Sequence, residues 1–191
     1  SPALAAMLGS TLLVASSAGP GGPADFQAAV QADLQAIYDT PTGQRLLESL
    51  HASGKKIFIN YGEKNSAEFP FGNWPPAFYQ TDGVTPGSGM ALKIAYNPVQ
   101  EDVGRKEWNK RPPAIGLAHE LIHAEQAAYG RMRRGTTANS VGRDADGPVE
   151  PAQAHEFELE TIGIPPHDQY PFSENRIRAE WNPPQVVRRH Y

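Results

Sequence analysis

The sequence predicts an α+β fold, because segments with helical periodicity and segments with strand-like alternation occur together in a chain of 191 residues. Apolar residues recur at helical spacing in Asp25–Leu50. The segments Lys55–Tyr61 and Met90–Tyr96 alternate apolar and polar residues, as half-buried strands do. Pro113–Tyr129 begins with proline and is followed by Gly130, which is typical of a helix. These segments predict a small sheet packed against several helices.

The composition limits the partners that the chain can have. Hydrophobic residues make up 39% of the sequence and the formal net charge is -4, so no broad basic field attracts nucleic acid or an anionic membrane. Cysteine is absent, which excludes disulfides and thiolate ligands. Any catalytic metal must therefore be bound by histidines and carboxylates. The apolar segment Ala3–Ala18 is too short to span a bilayer, and we interpret it as a helix packed on the domain.

The sequence divides into two parts. Residues 1–23 are interpreted as an N-terminal apolar helical arm with a linker rich in glycine and proline, and residues 24–191 as one domain. The break at Thr40–Gly43 splits the first helical segment of this domain into two helices.

Two stretches of the domain are rich in glycine, proline and polar residues. Residues 62–89 also contain many aromatic residues, which favour burial, so this stretch is predicted to be a long ordered loop or a pair of hairpins. Residues 131–148 are predicted to be an irregular connection, in which Asp144–Gly147 is typical of an Asx-rich turn. The second stretch leads to a predicted helix over residues 151–162, which Gly163 stops.

The most informative motif is His-Glu-Leu-Ile-His at residues 119–123. A spacing of four places His119 and His123 on one helix face, where both imidazoles can bind one Zn²⁺. Glu120 can act as general base toward water activated by that ion. The apolar residues of the helix form a stripe on the opposite side, which predicts one buried face and one open face. The alternative is a chance pattern, with two half-buried histidines on an ordinary helix.

A third metal ligand is expected, because catalytic zinc usually has three protein ligands and one open position. Within residues 151–162, helical spacing places His155 and Glu158 on one face, and Glu156 is a weaker candidate. The spacing leaves these candidates open. The alternative is that the acidic residues form a solvated helix face.

The metal motif and its downstream partner resemble segments of the clostridial neurotoxin light chains. His119–Ala124 with Tyr129-Gly130 is similar to their active-site helix, and Glu158-Leu159-x-Thr161-x-Gly163 is similar to their third-ligand segment. By this resemblance Glu158 is the third ligand. Those toxins carry a glutamate just before this ligand, which orients a zinc histidine. Phe157 occupies that position here, so the orienting residue is left open.

In length and organisation the chain is more similar to the NleD-like family of bacterial effector metallopeptidases, over about residues 25–191. Besides the two motifs above, the resemblance rests on Glu174-Asn175-x-x-Arg178 and on Arg188-x-x-Tyr191. Both resembled families imply that Arg188 and Tyr191 stabilise the oxyanion of a tetrahedral intermediate. The alternative is a disordered basic terminus. Arg178 is a weaker candidate, with a structural ion pair as the alternative.

The resemblance also implies a fold and an activity. The fold is a zincin-like metallopeptidase domain with a small sheet, an HExxH helix and a second ligand-bearing helix, and the cofactor is one catalytic Zn²⁺. The activity is that of a gluzincin-type zinc metalloendopeptidase, a virulence protease that type III secretion delivers into the host cytoplasm. Its substrate is a host protein, and for NleD-like effectors these are stress-activated protein kinases.

The strand Met90–Tyr96 has two interpretations. In zincin folds an edge strand before the metal helix pairs with the extended substrate, and the alternative is an ordinary internal strand. We expect a monomer. Two other functions fit the sequence, namely a zinc peptidase that is not an effector and a catalytically inactive binding module that keeps the fold. Glu120 argues against the inactive module, since a structural site does not need a base.

Overall fold

A four-stranded sheet and the helices packed on it form the centre of the protein. The computed structural model describes residues 1–139, 143–144, 147–148 and 151–191, so part of the expected Asp144–Gly147 turn lies outside the described residues. The helices are α1 (Pro2–Met7), α2 (Phe26–Tyr38), α3 (Pro41–Ala52), α4 (Pro113–Ala128), α5 (Glu156–Ile162) and α6 (Glu174–Glu180). The strands are β1 (Leu12–Val14), β2 (Ile57–Tyr61), β3 (Ser66–Glu68), β4 (Lys93–Tyr96), β5 (Thr136–Ala138), β6 (Arg143–Asp144), β7 (Gly147–Pro148) and β8 (Gln153–His155). The α+β class is confirmed.

The main sheet has the strand order β1-β2-β4-β3. Strands β1, β2 and β4 are parallel, whereas β3 runs antiparallel to β4. Ile94 at the centre of β4 pairs with Ile59 of β2 and with Ala67 of β3. The segment Met90–Tyr96 therefore contains an internal strand, and β3 is the edge strand next to it, while β1 forms the other edge. Strand β3 lies within residues 62–89, for which hairpins were one of two alternatives, but its three residues are too few to show a strand pattern in the sequence.

The first helical segment of the domain divides where the sequence indicates. Thr40 is the N-cap of α3, and its Oγ1 accepts a hydrogen bond of 3.0 Å from the backbone N–H of Gly43. Pro41 occupies the first helical position, where its missing N–H costs nothing. The apolar residues of α2 point into the core and are fully buried: Phe26, Val30, Leu34 and Ile37.

The helix in the N-terminal segment is shorter than expected. The interpretation of Ala3–Ala18 as one helix is wrong, because α1 ends at Met7 and β1 pairs in parallel with β2. This pairing supplies backbone hydrogen bonds from a distant strand, which local periodicity cannot reveal. Leu4, Met7 and Leu12 belong to the same buried cluster as the sheet. The division of the chain after residue 23 stays a prediction. None of the helices in the described ranges has both the length and the apolar character needed to cross a membrane.

Helix α4, which carries the metal motif, is buried around its whole circumference. It contacts α2, α3, α5 and α6 as well as β3 and β4, and all its residues from Ala114 to Ala128 are buried. The helix itself is as expected, but the expectation of one open face is wrong. Its polar side chains must therefore find partners inside the protein.

The helix expected over residues 151–162 begins later. Gln153–His155 forms β8, which pairs antiparallel with β5, and α5 starts at Glu156. Gly163 ends α5 in the left-handed conformation with φ of 90°. A Cβ at Gly163 would lie 2.6 Å from the side chain of Ser173, the N-cap of α6. Glycine thus allows the end of α5 to contact the start of α6, next to α4.

Candidate metal centre

Three side-chain atoms converge beside α4. His119 Nε2 lies 3.1 Å from His123 Nε2 and 3.1 Å from Glu158 Oε2, and the separation of His123 Nε2 from Glu158 Oε2 is 3.2 Å. Ligand atoms bound tetrahedrally to zinc at about 2.0–2.1 Å are separated by about 3.3 Å. The triangle therefore has the size and the donor chemistry of a tetrahedral metal site, and the three residues could hold a metal ion.

The other two candidates for the third ligand lie elsewhere. His155 is exposed and stacks on Phe157, with ring centroids 5.1 Å apart. Glu156 Oε2 is 2.7 Å from His167 Nε2, on another side of α5. Because α5 starts at Glu156, Glu158 falls in its first turn and reaches the two histidines of α4.

Each histidine is oriented through its second ring nitrogen. His119 Nδ1 donates a hydrogen bond of 2.7 Å to Glu174 Oε1. His123 Nδ1 donates at 3.1 Å to Thr161 Oγ1, whose own proton goes to the carbonyl oxygen of Phe157 at 2.7 Å. These bonds fix the tautomers that leave both Nε2 lone pairs free for a metal.

Glu174 is thus the orienting residue that the sequence left open at Phe157. It belongs to the E-N-x-x-R segment, but no role followed from its position in the sequence. The available signal was Ser173 directly before it, because serine followed by an acidic residue is typical of the start of a helix. Phe157 instead packs its ring edge-on against His123, with centroids 5.5 Å apart.

The Glu174 carboxylate joins the metal centre to the arginines of the C-terminal segment. It accepts hydrogen bonds from Arg178 Nε at 2.6 Å and from Arg188 Nη1 at 3.3 Å, in addition to the one from His119. Burial would raise the pKa of Glu174, but these three cationic partners hold it well below its usual range. Arg178 is buried and also donates to the carbonyl oxygen of Trp108, so it lies in a structural ion-pair network.

The charges at the centre favour a cation. Burial lowers the pKa of His119, but the carboxylates of Glu158 and Glu174 outweigh burial and raise it to about 10. Burial raises the pKa of Glu158, whereas the imidazoles of His123 and His119 hold it below its usual range. The imidazole of His119 thus binds a proton strongly, because it lies between two carboxylates. The same negative charges favour a metal cation in place of that proton.

Glu120 lies beside the triangle in a cleft. A cavity of about 270 Å³ is lined by His119, Glu120, His123, Glu158, Tyr191 and apolar residues such as Phe69. Burial raises the pKa of Glu120, while the two histidines oppose this effect. A carboxyl whose pKa is raised binds a proton more readily than an ordinary carboxyl, as a group that must accept a proton from water requires.

The C-terminal residues Arg188 and Tyr191 reach the same site and are held there by two asparagine side chains. Asn175 Oδ1 accepts from the backbone N–H of Arg188 at 2.7 Å, and Asn175 Nδ2 donates to the Arg188 carbonyl at 2.9 Å. Asn139 makes the same pair of bonds with Tyr191, at 2.7 Å and 3.1 Å. Sequence reasoning named Asn175 only as part of the Glu174-Asn175-x-x-Arg178 motif, without a role, and it did not identify Asn139. Nothing local marks either residue as a partner of the C-terminal segment.

Tyr191 lines the cleft of the metal centre, and Arg188 is paired with Glu174. The Arg188 guanidinium lies 5.7 Å from the ring centroid of Tyr191. The negative charge of Glu158, together with burial, raises the pKa of Tyr191, so its phenol stays protonated and can donate a hydrogen bond. Two positioned donors, the phenol of Tyr191 and the guanidinium of Arg188, therefore lie close to the metal centre.

The fold and the site together define an α+β protein in which two histidines and a glutamate could hold a metal ion. The model of the peptidase family M91, described as effector protein, matches residues 15–191. The chain belongs to this NleD-like family of effectors, and membership implies a metallopeptidase-type enzyme that acts on a protein substrate. A comparison with curated proteins found no match.

Proposed function

We propose that the protein is a zinc-dependent endopeptidase of the gluzincin type. The observation that carries this proposal is the buried triangle of His119 Nε2, His123 Nε2 and Glu158 Oε2, with the Glu120 carboxyl in the same cleft. Two imidazoles and one carboxylate at tetrahedral spacing form a donor set that suits zinc. A zincin-like fold is part of the proposal.

The residues around the triangle have separate tasks in hydrolysis. Zinc, when bound, supplies Lewis acidity toward the scissile carbonyl and toward water. Glu120 takes the proton from the attacking water and delivers it to the leaving nitrogen. The raised pKa of Glu120 suits both steps, because the carboxyl must gain and release a proton in each cycle.

Arg188 and Tyr191 stabilise the negative charge that develops on the carbonyl oxygen. The phenol of Tyr191 lines the cleft beside Glu120, and the Arg188 guanidinium lies next to the phenol ring. Donors that are already in position lose little entropy when the charge forms. The bonds from Asn139 and Asn175 to the backbone supply this positioning.

An extended substrate binds along β3. This strand is the edge of the main sheet, and Ser66 and Ala67 line the cleft that contains the ligand triangle. Backbone hydrogen bonds from such an edge bind peptides of many sequences. The pairing brings a peptide bond of the substrate between Glu120 and the donors of the C-terminal segment.

The biological setting follows from the family. As an effector, the protein is secreted by a bacterium into a host cell, where it cleaves a host protein. By resemblance to NleD-like effectors, a stress-activated signalling kinase is the first substrate to test. Residues 24–191 form the catalytic domain in this proposal, and the protein acts as a monomer. A binding module without activity would keep the fold and the metal but would not need Glu120 as a base.

The test is cleavage of a proteome-derived peptide library, read by mass spectrometry, by purified protein with measured zinc content. We expect one zinc per chain, internal cleavage by the wild type, and loss of cleavage without loss of zinc in Glu120→Gln. The matched control is Glu125→Gln, the same change on the same helix. Glu125 contacts Ser49 and Tyr170 outside the cleft, so this variant should retain activity.

Two outcomes contradict the proposal. Full activity of Glu120→Gln would exclude the base mechanism. Zinc binding by the wild type without any cleavage of the library or of stress-activated kinases would favour the binding module.

A further inference from the structure

A second cavity lies on the other side of Glu120. Its volume is about 420 Å³, and it shares four lining residues with the cleft of the metal centre, namely His119, Glu120, Tyr191 and Asn65, which immediately precedes β3. Its remaining wall includes Arg111, which precedes α4, and Glu174. Any ligand in this cavity is therefore adjacent to the peptide bond that the proposed mechanism cleaves.

Three hydrogen-bond donors that line this cavity are buried and have no partner in the described part of the chain. They are Asn65 Nδ2, Arg111 Nη1 and Arg188 Nε. A buried donor without a partner costs about 1–3 kcal/mol, and more if it is charged. Native proteins contain few such groups, so three in one cavity indicate a place where a ligand accepts hydrogen bonds.

The local structure holds two of these donors in place. Asn65 Oδ1 accepts a hydrogen bond of 2.9 Å from the backbone N–H of Asn97, which fixes the amide so that Nδ2 is the free end. Gly116 lies against both donors, since a Cβ there would be 2.5 Å from Asn65 Nδ2 and 2.7 Å from Arg111 Nη1. The absence of a side chain at Gly116 therefore lets both donors pack on α4 one turn before Glu120.

The carboxyl groups of Glu120 and Glu174 line this cavity together with three basic side chains, which are Lys64, Arg111 and Arg188. The cation that lacks a partner nevertheless favours an anion over a neutral group. Arg188 is paired with Glu174, but that carboxylate already accepts from His119 and Arg178. Arg111 forms no ion pair with any described residue. Burial lowers the pKa of Arg111, and the charges of Arg178 and Arg188 lower it further, against the opposing charge of Glu174. A neutral carbonyl would leave this guanidinium without a counter-ion, whereas an oxyanion can accept two of its hydrogen bonds.

We propose that this cavity is a subsite for an acidic side chain of the substrate, located beside the scissile bond and bound by Asn65, Arg111 and Arg188. The proposal rests on the peptidase function proposed above. The shared chemistry is an oxyanion, which a glutamate, an aspartate or a phosphorylated side chain can supply. The subsite selects substrates by charge, in addition to the sequence-tolerant pairing with β3.

The first test measures selectivity. In the peptide library, sites cleaved by the wild type should be enriched in acidic residues at one fixed position. Synthetic peptides with glutamate, glutamine, serine or phosphoserine at that position then give kcat/KM. We expect a preference for glutamate over glutamine of about tenfold or more, since hydrogen bonds to charged groups contribute about 1.5–3 kcal/mol.

Two variants test whether Arg111 causes the preference for glutamate. Arg111→Gln should reduce the glutamate preference to near unity and leave cleavage of the glutamine peptide within a few fold of wild type. Lys110→Gln removes the same charge from the neighbouring exposed position and should leave the preference intact. A phosphoserine preference that Arg111→Gln abolishes would assign the subsite to phosphorylated side chains. No enrichment of acidic residues, or enrichment that survives Arg111→Gln, would overturn the proposal.

The second test does not depend on peptidase activity. Glutarate and inorganic phosphate are titrated into the isotope-labelled full chain, and the side-chain NH₂ signals of Asn65 are followed by NMR, assigned by their absence in Asn65→Ala. We expect a saturable shift in the wild type that is lost in Arg111→Gln. Binding at the metal instead would persist in Arg111→Gln, and that result, or no shift at all, would overturn the subsite. If the wild type cleaves nothing while the shift is present, only the peptidase function fails.

Discussion

Replacement of Glu174 by glutamine tests how the protein orients His119. Glutamine has the same shape, but one of its two terminal atoms donates hydrogen bonds instead of accepting them. In the wild type, His119 Nδ1 and Arg178 Nε both donate to the carboxylate, at 2.7 Å and 2.6 Å. An amide can accept from only one of them at full strength, and it brings its own N–H toward the other.

The magnitude follows from these contacts. The lost bond to a charged acceptor is worth about 1.5–3 kcal/mol, and tenfold in an equilibrium constant corresponds to about 1.4 kcal/mol. Part of the loss destabilises the fold, because Arg178 is buried and keeps only its carbonyl partners. We therefore expect zinc affinity to fall by about 10–100-fold, which is the range for changes in residues that orient metal ligands.

The assay is zinc competition against a chromophoric chelator, combined with chemical unfolding of the metal-free protein. The matched control is Glu180→Gln, the same substitution at the end of the same helix. Glu180 accepts from the backbone N–H and the hydroxyl of Thr42, far from the metal centre, so the control should lose stability without losing zinc affinity. Zinc affinity in Glu174→Gln within a factor of two of wild type would refute the orienting role.

Three further predictions follow from other contacts. Thr161→Val leaves the Nδ1 proton of His123 without an acceptor, so zinc affinity should fall about tenfold in the same competition assay, and an unchanged affinity would exclude this role. Asn139→Asp places a carboxylate against the backbone carbonyl oxygens of Pro151 and Tyr191, so the C-terminal donors should move. We therefore expect kcat to fall by about tenfold or more while the zinc content stays unchanged. An unaffected kcat would contradict the positioning role of Asn139. Asp33 has a pKa raised by burial above the ordinary value of 3.8, although the hydrogen bond from Tyr96 opposes the shift. The folded state therefore binds this proton more tightly than the unfolded state, and the free energy of unfolding should fall as pH rises from about 4 through the folded pKa. Urea unfolding across this range should show that Asp33→Asn removes part of the fall, and an identical pH profile would refute the assignment.

Features set by neighbouring residues were predictable from the sequence. The HExxH helix begins at Pro113 and its two histidines share one face, because proline at the first turn and a spacing of four are local rules. The break between α2 and α3 follows from Thr40 and Pro41 for the same reason. The donor chemistry of the metal centre was also predictable, since cysteine is absent.

Features that depend on distant partners were not predictable. The predicted start of α5 was wrong because Gln153–His155 forms a strand that pairs with β5. His155 therefore does not lie on the helix face. The orienting role of Glu174 requires α6 to contact α4, and the pattern of apolar residues in these two segments does not reveal that contact. The edge strand β3 exists through its pairing with β4, and its three residues have no pattern of their own.

The separation in sequence of the groups at the metal centre has a consequence for the newly made chain. His119 meets Glu158 across 39 positions and Glu174 across 55, and Asn139 meets Tyr191 across 52. A nascent or partly unfolded chain therefore holds two histidines and a base but neither the third ligand nor the donors of the C-terminal segment. The peptidase activity proposed above therefore requires that the segments from His119 to Tyr191 have folded against one another, and a chain that is synthesised or unfolded only in part lacks a complete site.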